Sequence, residues 1–301
     1  MNAIKKVLKN PYKLICWGVC RIPILYKKMS DESYLKLQYR SVFGRKLNLD
    51  NPKYFNEKLQ WLKLYDRKPE YTKMVDKYEA KKYVADLIGE EYIIPTLGVW
   101  DKFEDIDFDD LPDQFVLKTT HDSGGVVICE DKSKFDMESA KRKLSRSLKN
   151  NFYYQGREWP YKDVKPRIIA EQFVKDNLSQ GLHDYKFFCF HGKVKMILVC
   201  SERFSSCGLK EDFYDVDWKH LGLKRPLHGN SKNPAQKPAS LNLMVEIAET
   251  LSKNIPFVRV DLYQINDSVY FGEITFFPAS GFEGFEPDSW EKVMGDWIEL
   301  P

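Results

Sequence analysis

The stretch "RVDLYQINDSVYFGEITFFPASGF", residues 259–282, reads as two apolar strands joined at the turn signal Asn266-Asp267. Each strand carries one acid, Asp261 and Glu273, where a plain core strand would hold none. Side chains on a strand alternate between faces, so Arg259 shares the face of Asp261. Pairing about Asn266-Asp267 places the two acids opposite each other. Like charges that close repel and call for a compensating cation. Mg²⁺ suits the pair, because it is usually held by one or two carboxylates plus substrate phosphates. Arg259 would then stabilise charge on a transferring phosphoryl group.

Three upstream segments carry related chemistry. "HDYKFFCF" (183–190) sets Asp184 and Lys186 on one strand face. The acid suits ribose hydroxyls and the lysine suits phosphate, or the two form a plain ion pair of small value. "IIAEQFV" (168–174) ends its apolar run in Glu171-Gln172. It reads as an edge strand with two solvated polar residues, or as a hinge whose backbone meets a purine edge beside Phe173 and Val174. "FVLKTTHDSGG" (115–125) puts Lys118 on a strand before a glycine turn. That is either a tight turn or a cradle in which backbone N–H groups and a lysine converge on an anion. The P-loop pattern GxxxxGK is absent.

The composition sets limits. The 301 residues, 43% hydrophobic and 14% aromatic, are enough for a large core. A net charge of +3 makes no electrostatic case for nucleic acid. The six cysteines include no CxxC pair and no zinc spacing, which predicts free thiols in a reducing cytoplasm. The apolar run from Leu14 to Tyr26 is interrupted by Arg21 and Pro23 and falls short of the ~20 residues of a membrane span. It reads either as a docked helix or as an interfacial segment at the inner face of the membrane, with Trp17 and flanking lysines.

Periodicity predicts helices over 31–44, 55–68 and 70–89, the last ending at Gly89, and later over 136–150, 241–254 and 289–300. Strand patterns fill the chain between, with a hairpin turn at His191-Gly192. Residues 204–240, rich in Gly, Pro, Ser, Asn and Lys, read as a flexible insert. Their Lys210, Lys219, Lys224, Arg225, His228, Lys232 and Lys237 form either a solvated loop or a face for an anionic polysaccharide. The class is α+β: a mainly helical region 1–72, a first lobe 73–180 and a second lobe 181–301.

The order of these parts resembles the ATP-grasp superfamily from about Met74 to Gly281. "FNEKLQWLKLYDRKPEYTKMVDKYEAKKYV", "EYIIPTLGVW", "FVLKTTHDSGG" and "EITFFPASGF" resemble its TupA-like branch, named for teichuronopeptide biosynthesis, from Asn51 onward. The resemblance implies two antiparallel-sheet lobes clasping ATP, and an ADP-forming ligase that joins a carboxylate to an amine through an acylphosphate. The acid would be a sugar acid of a capsular or wall polysaccharide, and the amine an amino acid. It implies phosphate-binding roles for Lys77, Lys118 and Lys186, and a lid containing Gly124 and Gly125. Glu171, Gln172 and Val174 would form the adenine hinge and Asp184 would meet the ribose. Mg²⁺ would rest on Asp261 and Glu273, with Arg259 on the acylphosphate and Arg203 on the substrate carboxylate. Thr275 stands where many members carry a metal-binding Asn, which bears on whether one or two Mg²⁺ bind. The alternative is a glycosyltransferase using a nucleotide sugar, for which Asp215 and Asp217 in "FYDVDW" mimic a DxD motif.

Overall fold

The computed structural model describes residues 10–175, 183–201, 208–266 and 268–301. Helices lead the chain: α1 (Tyr12–Arg21), α2 (Pro23–Lys28), α3 (Asp31–Phe43), α4 (Phe55–Tyr65), α5 (Glu70–Val75) and α6 (Glu79–Ile88). The start of α3 is set by Ser30, whose hydroxyl accepts the Ser33 N–H at 3.3 Å, and by Asp31 and Glu32 in its first turn. Gly44, at φ 72°, closes it.

The run 70–89 is not one helix. Asp76 leaves helical geometry, and its carboxylate accepts the Tyr78 N–H at 2.9 Å and Arg167 Nη2 at 2.7 Å. A side chain that caps its own backbone competes with helix continuation. The Lys77 N–H is turned instead to the Thr120 carbonyl, at 3.0 Å.

Four strands form the first sheet: β1 (Thr96–Trp100), β2 (Phe115–Thr119), β3 (Val126–Cys129) and β4 (Ile168–Gln172), in the order β1-β4-β2-β3, all antiparallel. Two helices lie between β3 and β4, α7 (Met137–Leu148) and α8 (Tyr153–Gly156). Phe115, Leu117, Ile168 and Ala170 point to one face and pack with Ala140 and Leu144 of α7. Alternation sends Val116, Lys118 and Glu171 to the other face.

The second sheet has five strands: β5 (His183–Phe190), β6 (Lys193–Ser201), β7 (Lys210–Tyr214), β8 (Phe257–Ile265) and β9 (Ser268–Thr275). Their order is β7-β6-β5-β8-β9, again antiparallel. The β5–β6 turn has His191 at φ 49° and Gly192 at φ 74°, the left-handed pair that a two-residue hairpin needs. Helix α9 (Leu241–Leu251) covers one face through Ile247, Ala248 and Leu251. The last helix, α10 (Ser289–Trp297), packs on α4. An aromatic layer fills the space beneath, with Phe55 of α4 edge-on to Phe257 at 5.0 Å.

The segment 204–240, expected as a flexible insert, contains regular structure. Within it β7 adds an edge strand to β6, and Phe213, Tyr214 and Leu223 are buried in the core. The apolar run of β7 is short and interrupted by acids, so its strand character comes from pairing with β6. Residues 204–207 of that segment, the turn residue Asp267 and the proposed lobe junction near 180 lie outside the described residues, as does Cys207. The five described cysteines are free.

Candidate active site

Register decides the site. Across the second sheet Lys186 stands opposite Asp261, Asp261 opposite Glu273, and Arg259 opposite Thr275. Directly opposed residues share a face, so all five side chains point the same way. Arg259 grips Asp261 with both arms, Nε to Oδ1 at 2.6 Å and Nη2 to Oδ2 at 2.8 Å. The same Nη2 reaches Glu273 Oε1 at 3.0 Å and Thr275 Oγ1 at 3.1 Å. Lys186 also pairs with Asp261, and with Asp184 at 2.6 Å.

Burial opposes the charge on Lys186, but Asp261 and Asp184 outweigh it and push the ammonium above its usual range. Burial likewise opposes ionisation of Glu273. Arg259, Lys186 and Lys77 outweigh it and hold that carboxyl at about 2. Asp261 is 1% exposed at its side chain, whereas Glu273 is 42% exposed into the cleft. The like-charge pair is therefore compensated within the protein.

A cleft of about 130 Å³ runs between the two sheets and joins this network to the first. Lys77, Lys81, Lys118 and Glu171 line it from one side, and Tyr263, Phe271 and Glu273 from the other. Lys81 lies 2.6 Å from Glu171 Oε1, and Lys118 pairs with Oε2. Burial would raise Glu171, but Lys118 and Lys81 hold its carboxyl below the usual range. Lys77 donates to the Asp122 carbonyl in the glycine turn. Ile93, Ile94, Val126, Tyr263 and Phe271 give the cleft apolar walls. Gly272 sits where a Cβ would come within 2.9 Å of Tyr263 Cε2 and 3.0 Å of the Asp261 carbonyl, so only glycine admits this approach.

Among the sequence-derived residues, the structure draws Lys77, Lys118, Glu171 and Glu273 into one cleft. Asp184, Lys186, Arg259, Asp261, Glu273 and Thr275 join in one network. It does not bring Gln172 or Val174 to the cleft lining. The Gln172 N–H is taken by the Pro95 carbonyl at 3.0 Å, and its side chain is exposed. Gly124 and Gly125 meet the cleft only through their turn; a Cβ on Gly125 would lie 1.8 Å from Thr119 Oγ1. Arg203 lies outside the described residues.

Asp215 and Asp217 form a turn and offer no paired carboxylates: Asp215 Oδ1 accepts the N–H groups of Asp217 at 3.0 Å and Lys219 at 2.8 Å. Arg225 is closed off between Glu211 at 3.3 Å and Glu283 at 3.2 Å, so it does not face an open polymer.

Some residues escaped the sequence reading. Lys81 had a signal, its i,i+4 spacing from Lys77. Gln60 and Lys63 had none. They clamp the loop that follows β9, Lys63 Nζ donating to the Ser280 carbonyl at 2.7 Å and Gln60 Nε2 to the Gly281 carbonyl at 2.7 Å. In that loop Ala279, Ser280 and Gly281 have φ of 47°, 53° and 60°. Non-glycine residues held there are strained, and such strain gathers at ligand sites.

Oxygen donors, two carboxylates and one hydroxyl suit a hard divalent cation such as Mg²⁺. Among the described residues no group of three or more His, Cys, Asp or Glu could cage a metal. The open Glu273 carboxylate therefore fits a cation whose shell a bound phosphate completes.

No curated protein matches the chain. Similar solved structures include D-alanine-D-alanine ligase from Helicobacter pylori, at 16% identity and TM-score 0.41, covering 82% of this chain and 69% of that one. D-alanine–D-alanine ligase from Bacillus anthracis complexed with ATP matches at 18% identity and TM-score 0.42, over 75% of this chain and 64% of that one. A RimK-domain ATP-grasp protein from Sphaerobacter thermophilus matches at 13% and TM-score 0.40, over 76% and 69%. The chain thus spans about two-thirds of the length of these proteins. The TupA-like ATP-grasp family matches residues 57–299, most of the chain, and the protein belongs to that family.

Proposed function

We propose that the protein is an ATP-dependent ligase that joins a carboxylate to an amine. One observation carries this reading: three lysines and Glu171 on one wall of the cleft face Glu273 on the other, and Arg259 ties Glu273 to the buried Asp261 behind it. Such a wall suits a triphosphate, and the apolar lining suits a purine. Lys77, Lys81 and Lys118 would grip the phosphate oxygens, Lys81 and Lys118 turning from Glu171 as they do so. Asp261 and Glu273 would hold Mg²⁺, which when bound neutralises phosphate charge.

The substrate carboxylate oxygen takes the γ-phosphoryl group, and ADP leaves. The amine then attacks the carbonyl carbon and phosphate departs, leaving an amide. Arg259 stabilises negative charge that builds on the transferred group in both steps. The strained loop 278–281, clamped by Gln60 and Lys63, faces the acceptor. The family's name supports a sugar acid of a cell-surface polysaccharide as the acid and an amino acid as the amine. A reaction that consumes ATP belongs on the cytoplasmic side.

The test supplies ATP, Mg²⁺, candidate uronates and an amino-acid mixture, and follows ADP and product mass. Sustained, multiple-turnover ADP release that needs both acid and amine supports the reading. Binding of a nucleotide sugar with no response to ATP would sink it. Glu273→Gln is the cleaner probe of the acids, because Glu273 is open while Asp261 is buried in ion pairs. The variant should lose ADP release by at least about a hundredfold while its melting temperature stays close to that of the parent. Retained release would remove Glu273 from the site.

A further inference from the structure

The outer face of α1 and α2 is apolar, the reverse of an ordinary surface helix. The inner side of α1 is satisfied by α3. Cys16 is buried there, Asn10 Nδ2 donates to the Arg40 and Ser41 carbonyls at 3.2 and 3.0 Å, and the Arg40 guanidinium lies 3.9 Å over the Tyr12 ring. On the outer side Leu14 and Trp17 are 57% and 58% exposed, and Ile24 of α2 is 62% exposed, with Ile15, Ile22 and Leu25 also open. A contiguous apolar patch of this kind marks a contact surface.

Its rim is basic. Lys13, Arg21, Lys27 and Lys28 are exposed around it, and the Arg21 guanidinium sits 4.0 Å over the Trp17 ring. Beside α2 opens a polar cleft of about 420 Å³, lined by Tyr26, Lys27, Tyr34, Lys149 and Asn150 among others. The charge of the chain is segregated too. Its first 29 residues hold seven of the 47 basic residues and none of the 44 acidic ones, leaving 40 against 44 in the rest. The rest of the chain is therefore slightly negative in sum, and the N-terminal segment is the part of the sequence with an unopposed positive charge.

We propose that the α1–α2 face seats the protein on an anionic lipid surface. Leu14, Trp17, Ile24 and Leu25 enter the acyl boundary while Lys13, Arg21, Lys27 and Lys28 lie among the headgroups. Trp is well suited to that depth. No helix among the described residues is long and apolar enough to cross a membrane, so the contact is one of lying on it. This inference does not depend on the ligase reading.

Sedimentation of the full chain with vesicles tests it. Phosphatidylcholine vesicles containing about a third phosphatidylglycerol should carry the protein down at low salt, and pure phosphatidylcholine far less. High salt should release it. Charge reversal in Lys27→Glu/Lys28→Glu should weaken partitioning by at least about tenfold, and Trp17→Glu should do the same, with the melting temperature unchanged. Equal binding to both lipids, or undiminished binding by the variants, overturns the proposal. So does absence of vesicle binding accompanied by a Trp17-dependent dimer in light scattering, which would assign the patch to a second copy.

Discussion

At the scale of the residue, the acids of this protein are governed by what surrounds them more than by their position in the sequence. Glu291 shows this away from the site. It is buried between α10 and α4, where Asn56 donates its N–H to Oε2 at 3.3 Å and its amide to Oε1. Burial lifts its carboxyl to about 7, with Asn56 and Arg45 pulling the other way and Asp288 adding to the rise. A carboxyl raised on folding holds its proton more tightly in the folded state. Its contribution is full below the ordinary carboxylate range and is lost as pH rises through about 7. Stability should therefore decline across that window by on the order of 3 kcal/mol. Glu291→Gln should flatten the decline in denaturant melts taken at a series of pH values. An unchanged slope would show that Glu291 does not titrate there. At this scale the sequence was legible where alternation governs: Arg259, Asp261 and Glu273 fall on one face as their parity requires. It was illegible at Gln60 and Lys63. They look like the solvent side of α4 and are fully buried, because the loop that covers them arrives from more than two hundred residues downstream.

At the scale of the element, close approaches fix how helices and strands meet. Gly295 in α10 lies where a Cβ would be 2.1 Å from the Lys53 carbonyl oxygen and 3.0 Å from the Phe55 nitrogen. Backbone cannot swing aside as a side chain can, so Gly295→Ala must push α10 off the start of α4. The expected cost is about 1–3 kcal/mol, read as a fall of several degrees in melting temperature. A variant as stable as the parent would mean that the helix shifts without loss. No feature of "SWEKVMGDWIEL" marks this glycine, since its need is set by a distant carbonyl. The break at Asp76 was hidden for a related reason. The apolar spacing of 70–89 continues through it, and the local cap by Asp76 is reinforced by Arg167 and Thr120, both remote in sequence. Strand β7 was missed because an edge strand with two acids has little pattern of its own.

At the scale of the whole molecule, two sheets present oppositely charged walls to one cleft, lysine-rich on one side and acid-bearing on the other. A ligand that bridges them should stabilise both together. ATP with Mg²⁺ at about a hundredfold over Kd should add about 2.7 kcal/mol, seen as a rise in melting temperature. Mg²⁺ alone should leave the melting temperature almost unmoved. A large rise with the bare ion would contradict the picture of the site. The reason lies in the grip of Arg259 and Lys186 on Asp261. If Asp261 is the metal's berth, the resting protein is its own competitor, since a lysine already occupies it. A naked cation would push that lysine onto Asp184 alone, leaving it one counter-charge where it had two. A metal that arrives already bound to phosphate brings the evicted lysine a new anion. On the proposed reading, ion and nucleotide should be admitted as one passenger, and the cleft should discriminate against divalent ions that come unaccompanied.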